Sequence, residues 1–119
     1  MARILLAEDD DNMRAFLARA LRRAGHEVEE RPDGDTALAY VSEHPIDLLV
    51  ADVVMPGIDG IELARRAGHR WPKLRVIFIT GFAAVALRNA RAMPRGATVL
   101  AKPFHLRELV TEIDRFLAA

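Results

Sequence analysis

Five short strand-like runs alternate along the chain with segments whose apolar residues recur at helical spacing. The runs are Arg3–Ala7, Glu27–Arg31, Leu48–Ala51, Leu74–Ile79 and Ala97–Ala101. A short run bounded by turn residues is typical of a strand, and one that is apolar at every position is typical of a strand buried on both faces. The third run has that character. In the second run Val28 is the only strong apolar residue, which favours a position near an edge of the sheet.

Between and after these runs the pattern predicts five helices. They extend from Asp10 or Asp11 to Ala24, from Asp35 to His44, from Gly60 towards Pro72, more weakly from Phe82 to Met93, and from about His105 to Leu117. The first carries apolar residues at helical spacing, namely Met13, Phe16, Leu17, Ala20, Leu21 and Ala24. Strand and helix therefore alternate five times without a linker or repeat. This alternation predicts one α/β domain over residues 1–119, a doubly wound five-stranded parallel sheet with helices on both faces.

Composition and charge argue against two classes of partner, nucleic acids and membranes. The chain has 119 residues, a formal net charge of zero, 29% charged residues and no cysteine. Without a strong positive field, a nucleic-acid partner is not expected. No apolar run approaches the length needed to span a membrane, and the N-terminus leads directly into a strand pattern. We therefore expect a cytoplasmic protein with neither a nucleic-acid nor a membrane partner.

Polar residues stand where the predicted strands end. Glu8 and Asp9 follow the first strand, Asp52 the third, Thr80 the fourth and Lys102 the fifth. Because the carboxyl ends of parallel strands share one edge, these side chains should lie close together, where open α/β sheets bind ligands. Crowded carboxylates without imidazole or thiolate suit Mg²⁺, while a lysine and a hydroxyl suit a phosphoryl group. The pattern indicates a carboxylate that accepts phosphate with metal assistance.

At these motifs the sequence resembles the receiver domains of two-component response regulators. The resemblance covers essentially the whole chain and is carried by Ile4–Asp10, Asp52–Gly60, Ile79–Gly81 and Lys102–Phe104. It implies a (βα)5, flavodoxin-like sheet in the strand order 2-1-3-4-5 and a phosphorelay switch rather than a metabolic enzyme. It also implies a histidine kinase or phosphotransferase as phosphodonor. No output domain is expected within residues 1–119.

The resemblance implies a metal site and an acceptor. Asp52 corresponds to the phospho-acceptor, and Glu8 and Asp9 to the acidic pair that holds Mg²⁺ together with Asp52. The backbone carbonyl of Val54 corresponds to the remaining protein ligand. The lysine of such domains usually has a cis bond to the following residue, here Pro103.

The same resemblance implies a switch. Thr80 corresponds to the hydroxyl that moves towards the phosphate, and Lys102 to the phosphate's counter-ion. Many receiver domains carry an aromatic residue three positions before the lysine, whose rotation reports the phosphate. Here that position is Val99, so a switch must be read out differently. Phe82 and Phe104, each two residues beyond a site residue, are the candidates.

Three further stretches resemble single-domain regulators of alphaproteobacteria. These are Ile61–Ala67, Phe78–Leu87 and His105–Val110. The resemblance implies an adaptor that, when unphosphorylated, primes the protease ClpXP to degrade selected substrates, and that phosphorylation switches off. The chain ends in Ala118 and Ala119, which resemble the Ala-Ala tails that ClpX recognises, although such an end is also typical of a frayed helix.

Alternatives remain open at this point. A phosphoryl shuttle would use the same residues without an effector partner. A phosphatase of the haloacid dehalogenase type also uses an aspartate after a strand, but it needs a second acid where this chain has Val54. The apolar stretch 82–87 fits either a deeply packed helix or an exposed partner-binding patch.

Overall fold

The computed structural model of the chain describes residues 1–81 and 96–118. Within these ranges the elements in chain order are β1 Arg3–Ala7, α1 Asp11–Arg23, β2 Glu27–Arg31, α2 Gly34–Glu43, β3 Leu48–Asp52, α3 Gly60–Arg70, β4 Arg75–Thr80, β5 Thr98–Ala101 and α4 Leu106–Ala118. All five predicted strands are present, and their ends differ from the prediction by no more than one residue. The helix predicted from Phe82 to Met93 lies outside the described residues.

The strands form one parallel sheet in the order β2-β1-β3-β4-β5. This confirms the predicted doubly wound topology, including the position of β2 at an edge. In register, Leu5 pairs with Leu49 and Ala51 pairs with Phe78. The three strands β1, β3 and β4 thus form the centre of the sheet, and their ends are held in fixed relation to one another.

Two apolar layers pack on opposite faces of the sheet, because successive side chains of a strand point to opposite sides. Leu49 and Ala51 of β3 belong to a cluster formed with α2 and α3, whereas Leu48 and Val50 belong to a cluster formed with α1 and α4. All five residues of β3 are buried, as the uniformly apolar run predicts. The strand that ends at Asp52 is therefore enclosed on both faces.

Aspartate side chains fix where three helices begin. Asp10 accepts a hydrogen bond from the amide of Met13, and Asp59 accepts one from the amide of Glu62. Asp33 likewise accepts from the amide of Thr36, so α2 begins at Gly34 rather than at Asp35 as predicted. Asp33 in the turn, rather than Asp35, therefore caps the first turn of α2.

The apolar stripe predicted for α1 is wider than the face that packs on the sheet. Leu17 and Leu21 are fully buried, whereas Phe16 is 57% exposed. At the other end of the chain Leu117, in the last turn of α4, is 44% exposed. Among the described helices, none has both the length and the apolar character that crossing a bilayer requires.

Candidate acidic and phosphoryl-transfer site

The predicted site residues meet at the carboxyl edge of the sheet. Glu8 directly follows β1, Asp52 ends β3 and Thr80 ends β4, so the parallel topology brings them to one edge. Each of Glu8, Asp9 and Asp52 offers a carboxylate oxygen, and these oxygens lie within 4.8 Å of one another. The structure thus places the three carboxylates together as the sequence predicts.

Lys102 bridges two of these carboxylates. Its Nζ lies 2.6 Å from Oε1 of Glu8 and 2.8 Å from Oδ2 of Asp52. The side chain of Glu8 is fully buried, and that of Lys102 is 22% exposed. The backbone amide of Lys102 donates to the carbonyl of Thr80 at 2.7 Å, and its bond to Pro103 is cis, as the resemblance implies. The lysine therefore enters the site from β5 and neutralises part of its negative charge.

The surroundings of the site raise the pKa values of both Glu8 and Lys102. Burial, opposed by the hydrogen bond from Lys102 and reinforced by the charge of Asp52, raises the pKa of Glu8 to about 7. Burial alone would lower the pKa of Lys102, but its hydrogen bonds to Asp52 and Glu8 outweigh that effect and raise it. Burial thus makes Glu8 take up a proton at a higher pH than an ordinary carboxyl would.

The loop after β3 orients Asp52. The amide of Val54 donates to Oδ1 of Asp52 at 3.1 Å, which leaves Oδ2 directed to the lysine. The amide of Val53 donates to the carbonyl of Ile79 on β4, and the amide of Gly60 donates to the carbonyl of Val53. Both ends of the loop are therefore hydrogen-bonded close to the site, and Val54 lies between them.

The middle of this loop rests against the start of α2, a contact that sequence reasoning missed. The amide of Gly34 donates to the carbonyl of Pro56 at 3.4 Å. A Cβ at Gly34 would collide with the carbonyl of Ile58, and one at Gly57 would collide with the carboxylate of Asp35. The two glycines allow a close approach between loop and helix. The motifs Asp33-Gly34 and Pro56-Gly57 each predict a turn, but neither motif predicts that the two turns are in contact.

Arg14 is a second neighbour that the sequence did not reveal. One of its guanidinium nitrogens donates to the backbone carbonyl of Glu8 at 2.8 Å, and another to Asp11 at 2.7 Å. The amide of Asp10 also donates to Oε2 of Glu8 at 3.3 Å. Both carboxylate oxygens and the backbone carbonyl of Glu8 thus accept hydrogen bonds, whereas Asp9 beside it is exposed.

This donor set fits a hard divalent cation. Three carboxylates within reach of one another, one exposed and two buried, supply oxygen ligands without imidazole or thiolate. Burial is the main cause of the raised pKa of Glu8, and the neighbouring charge of Asp52 adds to it, so a bound cation would favour the ionised carboxylate. The described residues therefore form an acidic cluster able to hold a metal ion.

The predicted switch residues occupy different environments. Thr80 is buried at the end of β4. Val99 is half-buried in β5, pairs with Phe78 and packs against the α2 and α3 layer. Phe104 is half-buried and packs against the α1 and α4 layer. Ala118 is the exposed last residue of α4, while Phe82, the stretch 82–87 and Ala119 lie outside the described residues.

Comparison with known proteins identifies the family to which this site belongs. The family model of the response regulator receiver domain matches residues 4–114. The chain therefore belongs to the response regulator receiver domains, which are signalling switches that take phosphate from histidine kinases. The resemblance found in the sequence is confirmed.

Individual relatives refine this picture. The chain is 56% identical over 119 residues to the response regulator receiver protein CpdR of Brucella abortus, covering 100% of the chain and 99% of that protein. It is 38% identical to part of the sensor kinase CckA of Brucella abortus, covering 98% of the chain but 12% of the kinase. Among solved structures, the response regulator TrrA of Thermotoga maritima in complex with Mg²⁺ and BeF matches with a TM-score of 0.86 and 26% identity, covering 98% of this chain and 99% of TrrA.

Proposed function

We propose that the chain is a stand-alone receiver whose Asp52 is phosphorylated in a Mg²⁺-dependent reaction. The observation that carries the proposal is the lysine bridge, in which Lys102 holds Asp52 and Glu8 at one edge of the sheet. The full-length match to CpdR supports a stand-alone protein, and the Mg²⁺ and BeF complex of TrrA supports the metal.

The metal would be held by Glu8, Asp9, Asp52 and the backbone carbonyl of Val54. When bound, Mg²⁺ neutralises charge on the carboxylates and on the incoming phosphoryl oxygens. The chain's own residues position the acceptor: the amide of Val54 holds Oδ1 of Asp52, so that Oδ2 faces Lys102.

Transfer requires that the acceptor oxygen be unprotonated and near a positive charge. Lys102 supplies that charge and, on phosphorylation, is placed to pair with the new phosphoryl oxygens in place of the carboxylate. Thr80, at the neighbouring strand end, is the proposed hydroxyl that donates to the same group. The buried position of Thr80 means that its movement would disturb packing beside β5.

The readout of the switch is proposed to involve Phe104 and Phe82 rather than Val99. Phe104 follows Lys102 by two residues and packs on the α1 and α4 layer, so a movement of the lysine would change the packing of this ring. Val99 lacks the ring whose rotation would report the phosphate.

The first experiment is intact-mass measurement after incubation with Mg²⁺ and acetyl phosphate. The wild-type protein should gain one phosphoryl group, and the gain should disappear without Mg²⁺. Asp52→Asn should show no gain, because the amide is not a competent nucleophile. Asp114→Asn, which changes an exposed carboxylate on α4, should be phosphorylated like the wild type. Phosphorylation of Asp52→Asn to the wild-type extent would overturn the proposed acceptor.

We further propose that the output is protein binding, with the unphosphorylated form acting as an adaptor that primes ClpXP. The support is the likeness to CpdR over the full chain and the resemblance of three sequence stretches to adaptors of this kind. Ala118 and Ala119 are proposed to contact ClpX. The phosphodonor is proposed to be a histidine kinase acting through a phosphotransferase.

Binding to immobilised ClpX separates an adaptor from a phosphoryl shuttle. Wild-type protein should bind ClpX in the unphosphorylated form and lose affinity on treatment with acetyl phosphate and Mg²⁺. Asp52→Asn should bind regardless of treatment. If only the phosphotransferase binds and ClpX does not, in either state, the protein is a shuttle.

A further inference from the structure

A groove of about 610 Å³ lies at the edge of the sheet opposite the acidic site. It is formed by the chain just before β1, β3 and β4 and by the end of α4, and its apolar lining is Met1, Ile46, Trp71, Leu74, Phe116 and Leu117. Met1 is 85% exposed and Leu117 44% exposed. Trp71 and Leu74 pack on the α2 and α3 layer, whereas Phe116 packs on the α1 and α4 layer. The groove therefore opens where the two apolar layers meet at the surface.

Three basic side chains of the described residues lie in or beside this groove. Arg70 lies 4.0 Å above the ring of Trp71, and Arg75 lies 5.7 Å from the ring of Phe116. Lys73 lies between them in the same loop. Among the described residues that line the groove, the one acidic side chain is that of Asp47, which already accepts a hydrogen bond from the amide of Arg3. The groove thus combines half-buried aromatic rings with a local excess of positive charge.

These cations differ from most others in the chain. Most arginines of the described residues form ion pairs with carboxylates, namely Arg3, Arg14, Arg22, Arg31, Arg65, Arg66 and Arg115. Within residues 1–81 and 96–118, no carboxylate lies within ion-pair distance of Arg70, Lys73 or Arg75. Since the whole chain has a net charge of zero, the positive excess here is local. A complementary partner would supply the missing carboxylates.

We propose that this groove binds an acidic segment of a partner protein, in which an aromatic or aliphatic anchor is flanked by Asp or Glu. The anchor would be buried between Trp71 and Phe116, and the carboxylates would pair with Lys73, Arg70 and Arg75. Aromatic and arginine side chains that exclude water around an anchor are the typical sources of binding energy at protein interfaces. The cations would also favour encounter with an acidic segment over a basic one.

The location of the groove gives this surface a role separate from the phosphorylation switch. The site residues lie at or just after the carboxyl ends of the strands, whereas the groove is built from the chain before or at the start of β1, β3 and β4 and from the end of α4. Binding here is expected to be independent of the phosphorylation of Asp52. The inference thus goes beyond the proposed function and does not depend on it.

Peptide selection followed by fluorescence titration tests the proposal. A random peptide library selected on the immobilised full chain should yield sequences rich in Asp and Glu around an aromatic or aliphatic residue. Trp71 is the only tryptophan in the sequence, so its emission reports binding of a selected peptide directly. The double variant Lys73→Glu with Arg75→Glu should bind that peptide at least tenfold more weakly.

The matched control is the double variant Arg19→Glu with Arg23→Glu. It makes the same change of net charge on α1, at exposed residues for which the described part of the chain shows no cation–π contact. It should bind the peptide like the wild type. A synthetic version of the peptide with each acid replaced by Lys should bind the wild type at least tenfold more weakly, a comparison that requires no variant to fold.

Other results would overturn the proposal. Selected peptides without acidic enrichment, or equal binding by the groove variant and the control, would show that the cations do not select the partner. Concentration-dependent dimerisation lost in the groove variant, without any peptide binding, would show that a second copy of the chain occupies the groove. Trp71 emission that responds to vesicles with anionic lipid but to no selected peptide would show a membrane surface as the occupant.

Discussion

Lys102 joins two carboxylates that would otherwise face each other at the sheet edge. Replacing it by Met in Lys102→Met should cost about 1–3 kcal/mol of unfolding free energy, because a buried charge loses its partner. The cost should be larger at pH 8 than at pH 5, since Glu8 can take up a proton at the lower pH. Urea unfolding at both pH values measures this difference.

The same variant should be phosphorylated by acetyl phosphate roughly tenfold more slowly or worse, because the charge next to the acceptor is lost. Lys73→Met, which removes an exposed lysine from the opposite edge, serves as the control for both measurements. A Lys102→Met protein with wild-type stability at pH 8 would show that the bridge contributes no net energy.

Glu8 makes the stability of the fold depend on pH in an unusual direction. Its pKa is raised to about 7 in the folded state from an ordinary value of 4.5. Between these values the folded state retains a proton that the unfolded chain has lost, so this group lowers stability progressively as pH rises from about 4.5 to 7. The carboxyl contributes most favourably below this window, in contrast to a surface carboxylate in an ion pair.

The variant Glu8→Gln tests this sign. Without added metal, its stability relative to the wild type should increase from pH 5 to pH 7 and then remain level. Thermal unfolding in matched buffers measures the trend, and Glu43→Gln, an exposed residue at the end of α2, should show no comparable trend. A difference between Glu8→Gln and wild type that does not vary with pH would mean that Glu8 ionises normally.

At the scale of elements, the contact between the β3–α3 loop and the start of α2 determines where the loop lies. Gly57 has a φ of +78°, a conformation that side chains disfavour, and it abuts the carboxylate of Asp35. The variant Gly57→Ala should therefore lose about 1–3 kcal/mol of stability. It should also bind Mg²⁺ more weakly, because the proposed carbonyl ligand of Val54 lies in the same loop.

Two further variants test whether the stability loss of Gly57→Ala comes from the backbone conformation at Gly57 or from the collision with Asp35. Gly68→Ala, at a helical glycine with open space around it, should gain up to about 1 kcal/mol of stability. Adding Asp35→Ala to Gly57→Ala should recover part of the loss by removing the collision. A double variant as unstable as Gly57→Ala alone would attribute the whole loss to backbone conformation.

The elements differ in how well the sequence predicted them. The run Leu48–Ala51 predicted a strand buried on both faces because every position is apolar, and its burial confirms this. The edge position of β2 followed from its single strong apolar residue, Val28. The gathering of Glu8, Asp9 and Asp52 followed from parallel topology alone, since strand ends of one direction share an edge.

Other features could not be predicted from a local pattern. The contact of Gly34 with the loop joins two turns that are distant in the sequence, and each turn motif describes only its own backbone. The exposure of Phe16 depends on how much of α1 the sheet covers, which helical spacing does not determine. The lysine bridge to Glu8 likewise required knowledge of where the β5 end lies relative to β1.

At the scale of the whole molecule, the fold places its two candidate surfaces at opposite edges of one sheet. The buried centre of β1, β3 and β4 connects them and supplies most of the largest fully buried side chains among the described residues. A ligand that binds only the folded state at either edge therefore stabilises the whole domain against unfolding. Global unfolding can accordingly report on metal binding at the acidic edge.

Mg²⁺ should raise the midpoint of thermal unfolding, and more strongly at pH 8 than at pH 6. The metal and the proton compete for Glu8, whose pKa of about 7 means that at pH 6 much of this carboxyl must release a proton before it can bind the ion. At a concentration ten times the dissociation constant the gain is about 1.4 kcal/mol. Asp9→Asn should abolish most of the effect, whereas Asp114→Asn should preserve it. Equal shifts at the two pH values would indicate that the ion binds without displacing the proton of Glu8, and that Asp9 and Asp52 suffice to hold it.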